Sequence, residues 1–481
     1  MASLQHEAIK GMSWTAFDRF ATQIIRFVIG VIIARLLLPS DYGIIGMLAI
    51  FMAISQTLLE SGFGSALIQK KDRTDIDYST VFYFNIGIGL LMYLILFIAA
   101  PWIADFYHIP LLTSVTRVYM LTLFINSINI VQNAKLKIEL RFKTLSIISV
   151  STQVFTGIIG IIMAYNGWGV WALVYQGVFS SIFQTCLVWW QAHWVPKKEF
   201  SKKSFNQLFS YGGKLLVSSM INNIYSNLYT LVIGRKFSSS DVGYFNRANQ
   251  FATLPSGTLT SVLLSVNFPI LSKIQDDDER LVRAYSKLLL GPMFLLYPIL
   301  FGLIALSAPF IVMLIGPQWL PCVPFLRIAC VGAMFAPLTS INLNLLYVKG
   351  RTDLVLKLEF IKKPIGFALL LITMNFGIIW LIAGAALYEF IAFSINCYYT
   401  GKILNYGWGK QLKELLPIFV RSCLMGIIIY FVSEVLDAVW LKLLLGFIVG
   451  VCSYCLMAWV MKDQAMQMCL ELIRQKNGKK K

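Results

Sequence analysis

Three side chains on the first apolar stretch have the types and spacing to hold an anion inside a membrane. Arg19, Gln23 and Arg26 fall at i, i+4 and i+7, which places them on one helical face. Two guanidiniums with an amide between them can compensate and hydrogen-bond a phosphate that has left water. Charged groups at membrane depth are costly, so they turn toward a bundle interior or a wet cavity. Arg19 can reach back to the near surface along its own stem, whereas Arg26 sits two helical turns deeper. Asp18 and Thr22 flank the stripe.

A later stretch carries hydrogen-bonding groups at matching positions: Asn222, Asn223, Ser226, Asn227 and Thr230. Shifted by 200, Gln23 falls on Asn223 and Arg26 on Ser226. The pattern predicts a cavity with cations from one stretch and polar lining (Gln23, Asn223, Asn227) from both. Arg247 and Lys214 are the further cationic candidates. Glu60, Glu389 and Asp18 are the carboxylates that could couple an ion gradient, although each could equally neutralise a nearby cation. Gly62 and Gly64 after Glu60, and Pro255-Ser256-Gly257 in the eighth stretch, predict broken helices of the kind that line transporter sites.

These residues need a membrane-spanning frame, and the composition supplies one. Of 481 residues, 58% are hydrophobic and 13% charged, against roughly 25% charged in a soluble domain. Apolar runs of about twenty residues recur, each long enough to cross a ~30 Å hydrocarbon core as helix. Fourteen such stretches are legible: 14–37, 42–67, 79–103, 112–134, 145–165, 169–191, 211–234, 244–271, 284–314, 320–346, 354–374, 377–401, 412–433 and 439–461. The ninth is long enough to bend at Pro292 and Pro298. Alternate links are basic, so the net charge of +18 reads as positive-inside topology with both termini cytoplasmic, not as a nucleic-acid surface.

An internal echo organises the frame. ARLLLPSDYG at 34–43 and GRKFSSSDVG at 234–243 share Arg, Ser, Asp and Gly at equivalent places, Arg35, Ser40, Asp41 and Gly43 matching Arg235, Ser240, Asp241 and Gly243. Asn166 and Trp171 are echoed by Asn375 and Trp380. Six helices separate the copies, so the repeats are parallel. The expected fold is all-α: about 14 transmembrane helices in two parallel six-helix repeats plus two C-terminal helices. The expected segments are lobes at 1–195 and 205–402, two added helices at 410–461, and a basic cytoplasmic tail at 462–481.

The links are too short for a soluble catalytic or nucleotide-binding domain, and the chain contains no Walker A, HExxH or GxSxG sequence. No enzymatic activity is expected. Cys452 and Cys455 form a CxxC inside an apolar run, read as packing, and the acidic run Asp276–Glu279 is read as a solvated link. The first apolar stretch carries Asp18, Arg19 and Arg26, unlike the core of a cleavable signal.

ARLLLPSDYG, ESGFGSALIQK at 60–70 and RFKTLSIISV at 141–150 together resemble the polysaccharide transporter family. Within it, the chain is most similar to the O-antigen and exopolysaccharide flippases, including the colanic-acid-exporter-like group. Their superfamily also holds multidrug extruders and lipid II flippases. The resemblance implies a flippase for undecaprenyl-diphosphate-linked oligosaccharide in a bacterial inner membrane, working by alternating access. It implies coupling to an H+ or Na+ gradient, no cofactor, and as pathway partners a polysaccharide polymerase and glycosyltransferases. By position, Arg26 and Arg19, then Arg247 and Lys214, match the family's cationic cavity. The alternatives are a lipid II flippase, which differs only in cargo, and a drug/cation antiporter, which the basic character of the deep charges disfavours. A membrane-embedded polymerase or ligase would need a larger outer loop.

Overall fold

The computed structural model describes residues 2–60 and 63–461, without the side chains of residues 2–10, 12, 65, 209–215, 217–218, 262, 265–266 and 269. The expected basic tail at 462–481 lies outside the described residues. Every regular element among them is helical. The chain divides into two compact units, one ending at Gly243 and one beginning at Tyr244.

The first unit contains α1 (Ala2–Leu36), α2 (Pro39–Met47), α3 (Ala49–Glu60), α4 (Phe63–Gln69), α5 (Asp75–Tyr107) and α6 (Leu111–Tyr119). These are followed by α7 (Leu121–Ser127), α8 (Ile130–Ile138), α9 (Phe142–Tyr165), α10 (Val170–Ala192) and α11 (Lys202–Lys236). Helix α12 (Ser239–Ser272) carries the chain into the second unit. There follow α13 (Asp278–Ala305), α14 (Ser307–Ile315), α15 (Cys322–Ala333), α16 (Ala336–Val348) and α17 (Thr352–Thr373). The last three are α18 (Ile378–Leu404), α19 (Trp408–Val435) and α20 (Val439–Val460).

Among the described residues, nine helical runs are long and apolar enough to cross a membrane, and the pair α2–α3, bent by 40°, makes a tenth. The remaining long helices α1, α11, α12 and α17 carry many of the charged and amide side chains. Arg19 and Arg26 lie on α1, the asparagines on α11 and Arg247 on α12. Helix α17 adds Lys357, Glu359, Lys362 and Lys363.

One expectation about a helix break needs correction. Helix α12 runs unbroken through Pro255-Ser256-Gly257. Thr253, Ser256, Thr258 and Thr260 each donate a hydroxyl to a carbonyl of the preceding turn. Helix α13 contains Pro292 and Pro298 and ends at Ala305, separated from α14 by one residue. The acidic run fixes local structure. The Asp277 carboxylate caps α13 by accepting from Arg280 N at 2.9 Å, and Asp278 pairs with Lys349 at 2.6 Å.

Turn chemistry fixes the ends of several helices. Asp41 accepts a hydrogen bond from Leu38 N at 3.0 Å at the start of α2. Asp241 accepts from Ser238 N at 3.1 Å and Ser238 Oγ at 2.7 Å at the start of α12. The two turns touch: a Cβ on Gly43 would collide with the Ser239 carbonyl, and one on Gly243 with the Pro39 carbonyl. Only glycine allows backbones this close. Elsewhere, Gly157 on α9 makes room for Ile29 of α1.

The start of α5 is a second junction. Asp77 is buried and accepts from Lys70 Nζ at 2.7 Å and from Thr74 N at 2.8 Å, tying the end of α4 to the cap of α5. The link before α11 lies on the same helix end, with Lys197 N donating to Ser79 Oγ at 2.9 Å and Ser201 N to Thr80 Oγ1 at 3.0 Å. In the second unit, Asn342 and Gln411 exchange two hydrogen bonds, of 3.1 and 3.0 Å, inside the bundle. Amide pairs of this kind join helices where apolar contact alone gives little preference.

Candidate functional site

Helices α3, α4, α7, α8, α10 and α11 of the first unit enclose a cleft of about 720 Å³. An apolar cluster behind it, with Phe63, Leu67, Phe82 and Val131, packs α4 and α8 onto α5. Their opposite faces are thereby turned to the cleft. From α3 come Gln56, Thr57 and Glu60, with Leu59 beside them. From the α7–α8 run come Asn126, Asn129, Asn133 and Lys137, at i, i+3, i+7 and i+11 on one face. Gln184 of α10 and Ser219 and Asn223 of α11 complete the polar lining.

Hydrogen bonds hold part of this wall in place. Asn129, at the short break between α7 and α8, donates to Thr185 Oγ1 of α10 at 3.0 Å. Asn133 Nδ2 donates to Asn129 Oδ1 at 3.1 Å. Across the cleft, Asn223 Nδ2 donates to Thr57 Oγ1 at 2.6 Å. Gln56 Nε2 reaches Glu60 Oε1 at 3.5 Å. The side chains of Asn126, Gln184 and Lys137 have no hydrogen-bond or ion partner among the described residues. Glu60 and Lys137 stand where solvent reaches, while Asn129 is buried among the helices. Deeper still, Asn85 of α5 and Gln132 of α8 are fully buried, and neither amide has a partner among the described residues.

The sequence candidates fall into separate places. Glu60 and Asn223 meet in the cleft. Asn227, one turn further along α11, donates to the Asn223 carbonyl at 2.8 Å and does not line it. Arg19, Gln23 and Arg26 lie on α1 and stand outside the cleft lining. Asp18 faces Ser149 of α9. The side chain of Lys214 lies outside the described residues.

In the second unit, Arg247 is buried with its guanidinium over the Trp319 ring at 5.9 Å, and it donates to Gln250 Oε1 at 2.7 Å. Glu389 of α18 is half-buried and faces Lys362 and Lys363 of α17. Lys362, buried, pairs with Glu359 at 2.6 Å, and Lys363 approaches the same carboxylate at 3.8 Å. Glu359, Lys362 and Lys363 interrupt an apolar stretch and do show in hydropathy, although sequence reasoning passed over them; Asn126, Asn129, Asn133, Lys137 and Gln184 do not stand out. Hydropathy assigns Lys137 to a basic link and passes over neutral amides inside apolar runs. The i, i+3, i+7, i+11 spacing of Asn126 to Lys137 is a helical signal that the sequence does carry.

Comparison with known proteins places this architecture. The chain is 25% identical over 436 residues to the teichuronic acid biosynthesis protein TuaB of Bacillus subtilis (strain 168), covering 90% of each chain. It is 26% identical over 363 residues to the lipopolysaccharide biosynthesis protein WzxC of Escherichia coli (strain K12), covering 75% of this chain and 74% of WzxC. Among solved structures, the lipid II flippase MurJ in an inward closed conformation has a similar fold, with a TM-score of 0.72 at 16% identity over 94% of this chain and 98% of MurJ. A family model described as "Polysaccharide biosynthesis protein" matches residues 32–324. With more than half its length matched by that model, the chain belongs to this polysaccharide biosynthesis protein family.

Proposed function

We propose that this protein is a flippase that carries undecaprenyl-diphosphate-linked oligosaccharide across the bacterial inner membrane for polysaccharide biosynthesis. One observation supports it most: an apolar helical unit encloses a cleft of about 720 Å³ lined by amides, hydroxyls and one charge of each sign. Polar lining at membrane depth is expensive unless a hydrophilic cargo or water fills it. The similarity to TuaB and WzxC, named for teichuronic acid and lipopolysaccharide biosynthesis, points to a saccharide cargo. No bond is made or broken in this reading.

The proposed architecture has fourteen transmembrane helices, two parallel six-helix repeats followed by α19 and α20, with both termini cytoplasmic. Under that orientation Glu60, Asn133, Lys137 and Gln184 lie in the cytoplasmic half of their helices, where cargo made inside the cell would load. Alternating access would then expose the cargo outside. The drive would be an ion gradient, and the Glu359–Lys362–Lys363–Glu389 cluster is a place where a proton or cation could compete with an internal pair. A polymerase and glycosyltransferases of the same pathway would be its functional partners.

The test uses the full chain in liposomes, with lipid-linked oligosaccharide extracted from cells deleted for this gene. Flipping is read as the fraction of saccharide open to an added glycosidase. Transport of that lipid is expected, and Arg26→Ala is expected to abolish it without lowering protein level. Transport of organic cations in place of the lipid would overturn the reading.

A further inference from the structure

We infer that the cleft of the first unit is a saccharide subsite: it takes the uncharged, hydroxyl-rich part of the cargo and leaves the diphosphate to be held elsewhere. The inference rests on the flippase reading above and adds to it the chemistry of one site.

Charge decides against the diphosphate. Among the described lining residues only Glu60 and Lys137 ionise, and they carry opposite signs. A diphosphate brings more than one negative charge and needs an excess of cations when it leaves water. A carboxylate in the same cleft would repel it.

The hydrogen-bonding groups fit a sugar. Each amide side chain offers donors and an acceptor together, as a sugar diol does. Asn126, Asn129 and Asn133 rise along one face in steps of ~4.5 and ~6 Å, a ladder on the scale of a sugar ring. Thr185 holds Asn129, and Asn129 holds Asn133, so part of the ladder is set before cargo arrives. Asn126, Gln184 and Lys137 have no partner among the described residues, and sugar hydroxyls could replace their water without breaking a protein bond. A volume of about 720 Å³ suits a ligand of a few rings. None of the described lining residues is aromatic. Without an aromatic face to stack on, a sugar would be held by hydrogen bonds alone, and weak holding suits a carrier that must release its cargo.

Binding to the full-length protein in nanodiscs tests the inference with two probes. One is lipid-linked oligosaccharide extracted from cells deleted for this gene, and the other is undecaprenyl diphosphate without sugar. The wild type should bind the first at least tenfold more tightly. Asn133→Leu should lose that preference while its affinity for undecaprenyl diphosphate stays within twofold. Lys137→Gln, at a solvent-reached position where folding is not at stake, should also leave undecaprenyl diphosphate binding within twofold. A wild type without the preference, an Asn133→Leu variant that keeps it, or a Lys137→Gln variant that loses undecaprenyl diphosphate would overturn the inference. Binding of neither probe by the wild type would instead overturn the flippase reading itself.

Discussion

Lys70→Met should destabilise the protein more than losing both members of its ion pair. Lys70 Nζ lies 2.7 Å from Asp77 Oδ1, and the two side chains are 27% and 1% exposed. The ammonium can return to water when the pair breaks, but the carboxylate cannot. Stranding a buried charge costs about 3–5 kcal/mol. Asp77 keeps its bonds from Thr74 N and Thr74 Oγ1, so the lower end, about 3 kcal/mol, is expected. Asp77→Asn removes the charge yet leaves an acceptor for the cap, a loss of about 1.5–3 kcal/mol for one charge-assisted bond. Asp77→Ala gives up the cap as well, about 1 kcal/mol more. The double variant Lys70→Met/Asp77→Asn has no stranded charge and should be more stable than Lys70→Met alone. Unfolding of the four variants and the wild type in one mixed-micelle system, followed by tryptophan fluorescence, gives the cycle. A Lys70→Met cost under about 0.5 kcal/mol, the range of an exposed pair, would refute the reasoning. So would a double variant less stable than Lys70→Met.

Four further outcomes are expected. Thr80→Val should cost about 1–3 kcal/mol in the same assay by orphaning Ser201 N, while Lys197→Met, which breaks an exposed pair with Asp75, should change stability by less than about 0.5 kcal/mol. Gln132→Leu should be neutral or stabilising, because its buried amide has no partner among the described residues; a loss above about 1 kcal/mol would indicate a bridging water or ligand. The Asn129→Leu/Thr185→Val double-mutant cycle should give a coupling of about 0.6–1.7 kcal/mol, the range for hydrogen bonds between membrane helices, and no measurable coupling would remove Thr185 as the support of the ladder.

The helical frame was legible because hydropathy reports burial in lipid directly. Each of the fourteen apolar stretches is helical in its described residues apart from short breaks, from α1 through α20. The ends were legible too, since Asp41 and Asp241 sit where a cap must sit. What hydropathy could not report is direction. Asn133 and Gln132 are adjacent in sequence; one faces the cleft and the other is sealed behind it. Arg26 was the stronger cavity candidate by sequence, yet of the two only Glu60 lines this one. The error at Pro255 has a physical source: proline removes one donor and frees one carbonyl, and the remaining bonds of a 34-residue helix carry it across that gap.

The touching turns have a consequence for how the sequence can vary. Gly43 meets residue 239, and Gly243 meets residue 39. Subtract 200 from the numbers of the second turn and both contacts become one contact, between positions 39 and 43, made in both directions. That reciprocity has the form of an isologous contact, in which equivalent positions meet in both directions, and it is shown here for these two turns. Here the partner is covalently attached, so the two halves of the interface can mutate separately although they are read as one. A side chain gained at either glycine spoils a contact whose other face it did not alter, and no change at the opposite glycine can restore the space.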